Sequence, residues 1–310
     1  MINPMIFDKD YIMSLDGQIF ENICGVLGCK TEDITGIEPM KVGLTNVSFR
    51  FEVNGKSYIY RHPGKGTSRF IKRECEAFSE TLARKLELDG TFITMDTKSG
   101  WKLAEFLEGC QYLDPYSRED QTVAMAMLKK LHDEKITCPW DYDYMNMTGV
   151  YAALLEEQQP GAFIPYEKTY EDMSRLYEKM EAEGYEKCLC HNDAWHYNML
   201  RGADGTVALI DWEYSGNAYP AVDVAYFTAS LDFDDGDYVA LAELYEGHPL
   251  TNKEKRFYFA CLAICLWHWF VWAIYKEAIG TQVDDKQMWY DKALHAFDVA
   301  WEMFEKEQEA

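Results

Sequence analysis

Two short apolar segments, Lys187–Cys190 and Val207–Ile210, bracket a polar stretch that reads His191-Asn192-Asp193-Ala194-Trp195-His196-Tyr197-Asn198, and Asp211-Trp212-Glu213 follows the second. Apolar runs this short read as buried strands, so a short strand pair is expected with the polar loop between them. A turn that caps its own backbone explains an isolated Asp or Asn. It does not explain apolar strand, H-x-D-x4-N, apolar strand and D-x-E in succession. A fold that satisfies this pattern gathers several oxygen ligands at one spot. Phosphoryl transfer uses such a set: one Asp orients the attacking hydroxyl, while an Asn and a second Asp hold magnesium against the phosphates.

The rest of the chain divides in two. Residues 8–30 carry Ile12, Leu15, Ile19, Ile23 and Leu27 on one helical face. Met40-Lys41-Val42 leads into Gly43-Leu44-Thr45-Asn46, and Val47–Val53 then alternates as a strand does. Asn54-Gly55 predicts a tight hairpin to Ser57–Arg61. A helix over 70–86 and strands over 91–95 and 101–106, turned at Lys98-Ser99-Gly100, complete this part. After Gly109 the pattern turns helical, with helices expected over 121–132 and 170–183 and a mostly helical remainder from Ala221. With 310 residues, 48% of them hydrophobic, two lobes are expected. These are an N-terminal lobe over 1–108, with a helical extension over 1–35, and a C-terminal lobe over 109–310. The junction near Glu105–Gly109 would floor a cleft, where ligands tend to bind.

A net charge of −23 opposes nucleic acid and anionic lipid and does not oppose a cation. The nine cysteines include no paired C-x-x-C array, which points to reduced thiols in a cytoplasmic protein. The N-terminus has no signal-peptide core. The run Phe257–Tyr275 has membrane-compatible length, but it is rich in Trp and Cys and carries His268, so it reads as a buried helix without membrane insertion.

The loop and the D-x-E segment resemble the catalytic and metal segments of the protein-kinase-like small-molecule kinases, which include aminoglycoside phosphotransferases and choline and ethanolamine kinases. The resemblance spans roughly residues 36–305. It implies an α+β, protein-kinase-like two-lobed fold, with a small antiparallel sheet lobe first and a larger, mainly helical lobe second. It also implies ATP and Mg2+ as cofactors. Asp193 would be the catalytic base, Asn198 and Asp211 would bind magnesium with Glu213 assisting, and His191 would brace the loop. Gly43, Thr45 and Asn46 sit where such kinases cover the phosphates. Arg61 ends the next strand where protein kinases place a Lys, a substitution similar to the choline kinase branch, and a guanidinium grips phosphate bidentately. Its helical partner would be Glu76, with Glu74 and Glu80 as competitors. The backbone of Glu105-Phe106-Leu107 would pair with adenine.

Trp269 and Trp272 lie three apart on one helix face. Such a stripe packs a core, or it binds a quaternary ammonium through cation–π attraction of ~2 kcal/mol when desolvated. Trp269–Glu277, W-x-x-W-x-I-Y-K-E, is similar to the late helix of bacterial choline kinases, which implies choline as acceptor with Tyr290 closing the pocket. Trp212–Gly216, Asp223-Val224-Ala225 and Leu128–His132 match the same branch. In that branch a carboxylate lies seven residues after the Asp of D-x-A; here the position is Ser230, so either Asp232 takes over or the pocket carries a different charge pattern. Ethanolamine, an amino sugar, an aminoglycoside or another amino alcohol stay open as acceptors, as does a non-catalytic ATP-binding module. His132, His268 and His295 read as packed or solvated.

Overall fold

A computed structural model describes residues 9–40, 46–64, 66–229 and 231–308. Two compact units emerge: the described residues up to Gln111 together with Arg201–Ala208, and Tyr112–Leu200 together with the described residues from Leu209 on.

The first unit is built on an antiparallel sheet of β1 (Thr35–Met40), β2 (Val47–Val53), β3 (Lys56–His62), β4 (Phe92–Met95) and β5 (Lys102–Glu105), in the order β1-β2-β3-β5-β4. The hairpin between β2 and β3 turns at Asn54 and Gly55, with φ of 53° and 76°. Left-handed values at both positions are what a two-residue hairpin turn requires. Strand alternation sends Phe49, Phe51, Val53, Tyr58, Tyr60 and Leu103 to one face, where they bury Ile12, Ile19, Phe20, Ile23 and Ile34. Arg61, adjacent to Tyr60, points to the other face, towards α3 (Arg73–Lys85).

The single helix expected over 8–30 is two, α1 (Lys9–Leu15) and α2 (Ile19–Leu27). Asp16 breaks it: its carboxylate accepts the Gln18 N–H at 2.9 Å and its carbonyl accepts the Ile19 N–H at 3.3 Å. Local bonds of this kind, next to Gly17, compete with the helix ladder.

The second unit is mostly helical: α4 (Arg118–His132), α5 (Tyr144–Gln158), α6 (Glu167–Ala182), α7 (Pro220–Phe227), α8 (Asp235–Glu246), α9 (Asn252–Ala278) and α10 (Lys286–Gln308). The apolar run lies in α9, which is buried along almost its whole length and packs against α5, α6, α7 and α10. Thr251 and Glu254 start it with reciprocal capping bonds.

The short strands are β6 (Gln111–Tyr112), β7 (Cys188–Cys190), β8 (Met199–Arg201), β9 (Val207–Leu209) and β10 (Gly216–Ala218). Here the expected pairing is corrected. β7 pairs with β10, and β9 lies in a separate sheet ordered β6-β8-β9. On its other side β10 lies close to the Tyr142 backbone, where a Cβ at Gly216 would lie 3.2 Å from the Tyr142 nitrogen. The change of partner brings Asp211–Ser215 directly back to the end of β7.

Candidate active site

The loop after β7 is held from behind. The carboxylate of Asp223, on α7, accepts the backbone N–H of His191 at 2.8 Å and of Asn192 at 2.7 Å. His132 Nε2 lies 3.0 Å from the same carboxylate and its Nδ1 2.9 Å from the Tyr245 hydroxyl. His191 Nε2 lies 3.0 Å from the Ile210 carbonyl, and the ring packs on Trp212. His191 is thus a brace between the loop and the D-x-E segment. Asn192 has φ of 63°, a left-handed value Asn tolerates, and its amide donates to the carbonyls of Tyr214 at 3.0 Å and Gly216 at 3.3 Å.

This frame presents Asp193. The Asn198 Nδ2 donates to its carbonyl at 2.9 Å and to its carboxylate at 3.0 Å. With both amide hydrogens directed there, the Asn198 Oδ1 faces the other way. Asp211 takes φ of 66°, and Trp212–Tyr214 form one 3-10 turn behind it. Burial pushes the Asp193 carboxyl well above the usual carboxylate range, and the charges of Asp211 and Glu213 push it further. Hydrogen bonds from Asn198 and Tyr226 oppose that shift. The Asp193 carboxylate thus feels two further carboxylates and is bonded by an amide, groups whose oxygens are of the type magnesium takes. Asp211, Glu213 and Asn198 are the residues that would hold it, although among the described residues the ligand atoms lying within 4.8 Å of one another are those of His132, Cys190 and Asp223.

The aromatic helix differs from expectation. Trp269 and Trp272 do adjoin, at a centroid distance of 5.3 Å, but edge to face rather than side by side. Trp269 is 1% exposed, stacked on Tyr226 at 4.6 Å and flanked by Tyr214 and His268. Lys276 Nζ lies 5.5 Å from the Trp272 ring centroid. Tyr290 does not close this region. It packs on Trp267, Phe270 and Tyr166, on the opposite side of α9, because residues 267 and 270 fall half a helical turn from 269 and 272. Asp232 is exposed and its backbone N–H donates to Tyr116. Its charge acts on Lys292. Ser230 lies outside the described residues.

In the first unit Arg61 and Glu76 meet in a buried ion pair. Arg73 donates to the second Glu76 oxygen at 2.8 Å, and Lys102 Nζ lies 3.7 Å from the first. The competitors fall away: Glu74 is exposed and Glu80 pairs with Lys102 at 2.6 Å. Burial raises the Glu76 carboxyl, but Arg61, Lys102 and Arg73 outweigh it and hold the group below its ordinary value. The Asn46 side-chain oxygen accepts the Gly64 N–H at 3.2 Å. Gly43 and Thr45 lie outside the described residues. The N–H groups of Glu105 and Phe106 bond the carbonyls of Thr91 and Ser57.

A family model described as the phosphotransferase enzyme family matches residues 36–256, well over half of the chain. The chain belongs to that family. Protein LicA of Haemophilus influenzae is 26% identical to this phosphotransferase over 279 residues, 85% of this chain and 99% of the relative. The structure of choline kinase LicA from Streptococcus pneumoniae aligns with a TM-score of 0.77 at 24% identity, covering 92% of this chain and 99% of that one. Ethanolamine kinase of Plasmodium vivax aligns at 0.71 and 16% identity, covering 97% and 90%. The phosphotransferase has the protein-kinase-like fold. Sequence patterns gave no sign of Tyr226 or Lys102 at these positions, and Lys276 stood in the Trp269–Glu277 motif without a role of its own. The spacing of Arg73 and Glu76, one helical turn apart, was the available clue to Arg73.

Proposed function

We propose that this phosphotransferase moves the γ-phosphoryl group of ATP to the hydroxyl of a small amino alcohol, and that choline is its acceptor. The observation that carries the reading is the junction of the carboxylate group, Asp193, Asp211 and Glu213, with the aromatic wall of Trp269 and Trp272 through Tyr226. Magnesium and ATP, when bound, supply the phosphoryl group and the positive charge that neutralises it in transfer. Asp193 orients the acceptor hydroxyl and takes its proton. Asn198 fixes the Asp193 carboxylate, while Asp211, Glu213 and the Asn198 oxygen hold the metal. Arg61, kept in place by Glu76, grips phosphate, and the Asn46 turn and the backbone from Leu107 serve the nucleotide. The nine free thiols support a cytoplasmic setting.

A primary ammonium such as ethanolamine is the second reading. Tyr226 covers a face of Trp269 and Lys276 lies over Trp272, which narrows the room for three methyl groups. ATP consumption by the purified chain with magnesium and choline, ethanolamine, kanamycin or no acceptor tests both. Turnover strongest with choline upholds the first reading. Turnover only with ethanolamine replaces it with the second, and turnover only with kanamycin overturns both.

A further inference from the structure

Among the described residues three cations surround the Glu76 carboxylate. Oε1 accepts from the Arg61 guanidinium, Oε2 accepts from Arg73 at 2.8 Å, and the Lys102 ammonium stands 3.7 Å from Oε1. Arg61 and Lys102 are register partners on the neighbouring strands β3 and β5, so both side chains rise from one face towards the same oxygen. Lys102 is held back by Glu80, one helical turn along α3, whose Oε1 accepts from Nζ at 2.6 Å. Glu80 is an unfavourable residue for the fold alone. It is fully buried, its Oε2 has no hydrogen-bond partner among the described residues, and the charge of Asp89 opposes its own. An apolar side chain of similar size would relieve that burial.

We propose that Glu80 is a positioning residue for Arg61: it keeps the Lys102 ammonium off the Glu76 oxygen that braces the guanidinium. This rests on the reading of Arg61 as the group that grips the phosphates of ATP. With Glu80 ionised, Lys102 has a carboxylate of its own and Glu76 orients Arg61. With Glu80 neutral, Glu76 is the carboxylate already 3.7 Å from Lys102, and the ammonium moves onto the shared oxygen. Arg61 then loses the brace that aims it before the nucleotide arrives.

The competition gives a rescue test. In Glu80→Gln the affinity for MgATP, titrated calorimetrically, should fall about ten-fold, while that for adenosine, which has no phosphate, stays unchanged. Lys102→Met removes the competitor and should bind ATP as the native chain does. The double variant should recover the loss. Equal losses for ATP and adenosine, or no recovery in the double variant, overturn the proposal.

A pH profile makes a second comparison, which serves alone should Glu80→Gln fail to fold. Burial pushes the Glu80 carboxyl up to about 7, with Asp89 and Glu76 adding to the shift and Lys102 opposing it. Glu80 faces Lys102 on β5, Glu76 on its own helix and Asp89 between α3 and β4, while Arg61 on β3 and Arg73 on α3 flank Glu76. The native affinity for ATP, relative to that of Lys102→Met, should therefore fall as the pH drops from about 8 to about 6. A constant ratio overturns the proposal. Arg61→Met keeps the two readings distinct and should weaken ATP about ten-fold or more. If it does and Glu80→Gln does not, the positioning role alone falls. If it does not, or if the native chain binds no ATP, the phosphate-gripping reading falls and the positioning role with it.

Discussion

The carboxylate of Asp223 receives the backbone N–H of Asn192 at 2.7 Å, one residue ahead of Asp193. Because its other oxygen receives the His191 N–H, both oxygens must be acceptors. Asp223→Asn turns one of them into a donor facing a donor. The expected loss is about 1–3 kcal/mol of stability, with a fall in kcat larger than the change in ATP KM. Thermal unfolding and steady-state kinetics check it, and equal effects on the two constants would count against a loop-positioning role.

Asp193→Ala removes the proposed base without touching the nucleotide. Turnover should drop about 10²–10⁴-fold, while ATP affinity by titration changes little. Normal turnover in this variant would remove Asp193 from the chemistry.

Glu76 is fully buried between Arg61 and Arg73. Glu76→Gln removes the carboxylate charge that Arg61 and Arg73 share, while Lys102 keeps Glu80. A destabilisation of about 3–5 kcal/mol is expected, together with a raised ATP KM. Unfolding in denaturant measures the first and initial rates the second. If stability holds and only KM moves, the pair serves the nucleotide and not the fold.

His268 gives the fold a pH dependence. Thr148 donates its hydroxyl hydrogen to the Tyr144 carbonyl, so its oxygen accepts from His268 Nδ1–H at 3.0 Å, and Tyr142 O–H donates to Nε2 at 2.9 Å. That network suits the neutral ring, and burial holds the pKa down at about 3 from an ordinary 6.5. The unfolded chain therefore takes up a proton below pH 6.5 that the folded chain refuses. Stability is complete above that point and should fall by about 1.4 kcal/mol per pH unit on acidification from it. Melting temperatures between pH 7.5 and 5 test this. His268→Gln should be less stable at pH 7.5 and show a shallower slope; an equal slope would assign the acid sensitivity to other groups.

Lys276 is 5% exposed, and burial lowers its pKa against the opposing charge of Glu213. Under the proposed function its ammonium shares the Trp272 ring with a cationic acceptor. Lys276→Met keeps the volume and removes the charge, so the KM for a cationic acceptor should fall several-fold with kcat little changed. A rise in KM would show instead that the ammonium helps to hold the acceptor.

Local signals carried much of the fold. Asn54-Gly55 names its turn because left-handed φ at two positions is chemically restrictive, and the apolar stripe of Ile12, Ile19 and Ile23 does face the core. The H-x-D-x4-N spacing placed Asp193 and Asn198 in contact because one short loop holds both. What eluded the sequence depends on partners distant along the chain. Three-residue strands have no pattern long enough to announce a partner, so β7 and β9 were expected together. Tyr290 was expected at the indoles because a position in α10 does not reveal which side of α9 it meets. Tyr226 had no signature at all, as one aromatic residue on a short buried helix looks like any other core ring.

The burial of α9 sets limits on how acceptor choice in such a protein can change. Trp269 and Trp272 pack with Tyr226 and Lys276 on one side of the helix, while Trp267 and Phe270 pack against Tyr290 and Tyr166 on the other. Truncating a buried Trp costs about 3–5 kcal/mol, close to the whole stability of many domains. Truncations of these Trp residues would thus cost the fold before a new acceptor could reward them. Under the proposed function, the route to a different acceptor that spares this core runs through a side chain at its edge such as Lys276, whose charge can be removed at nearly constant volume.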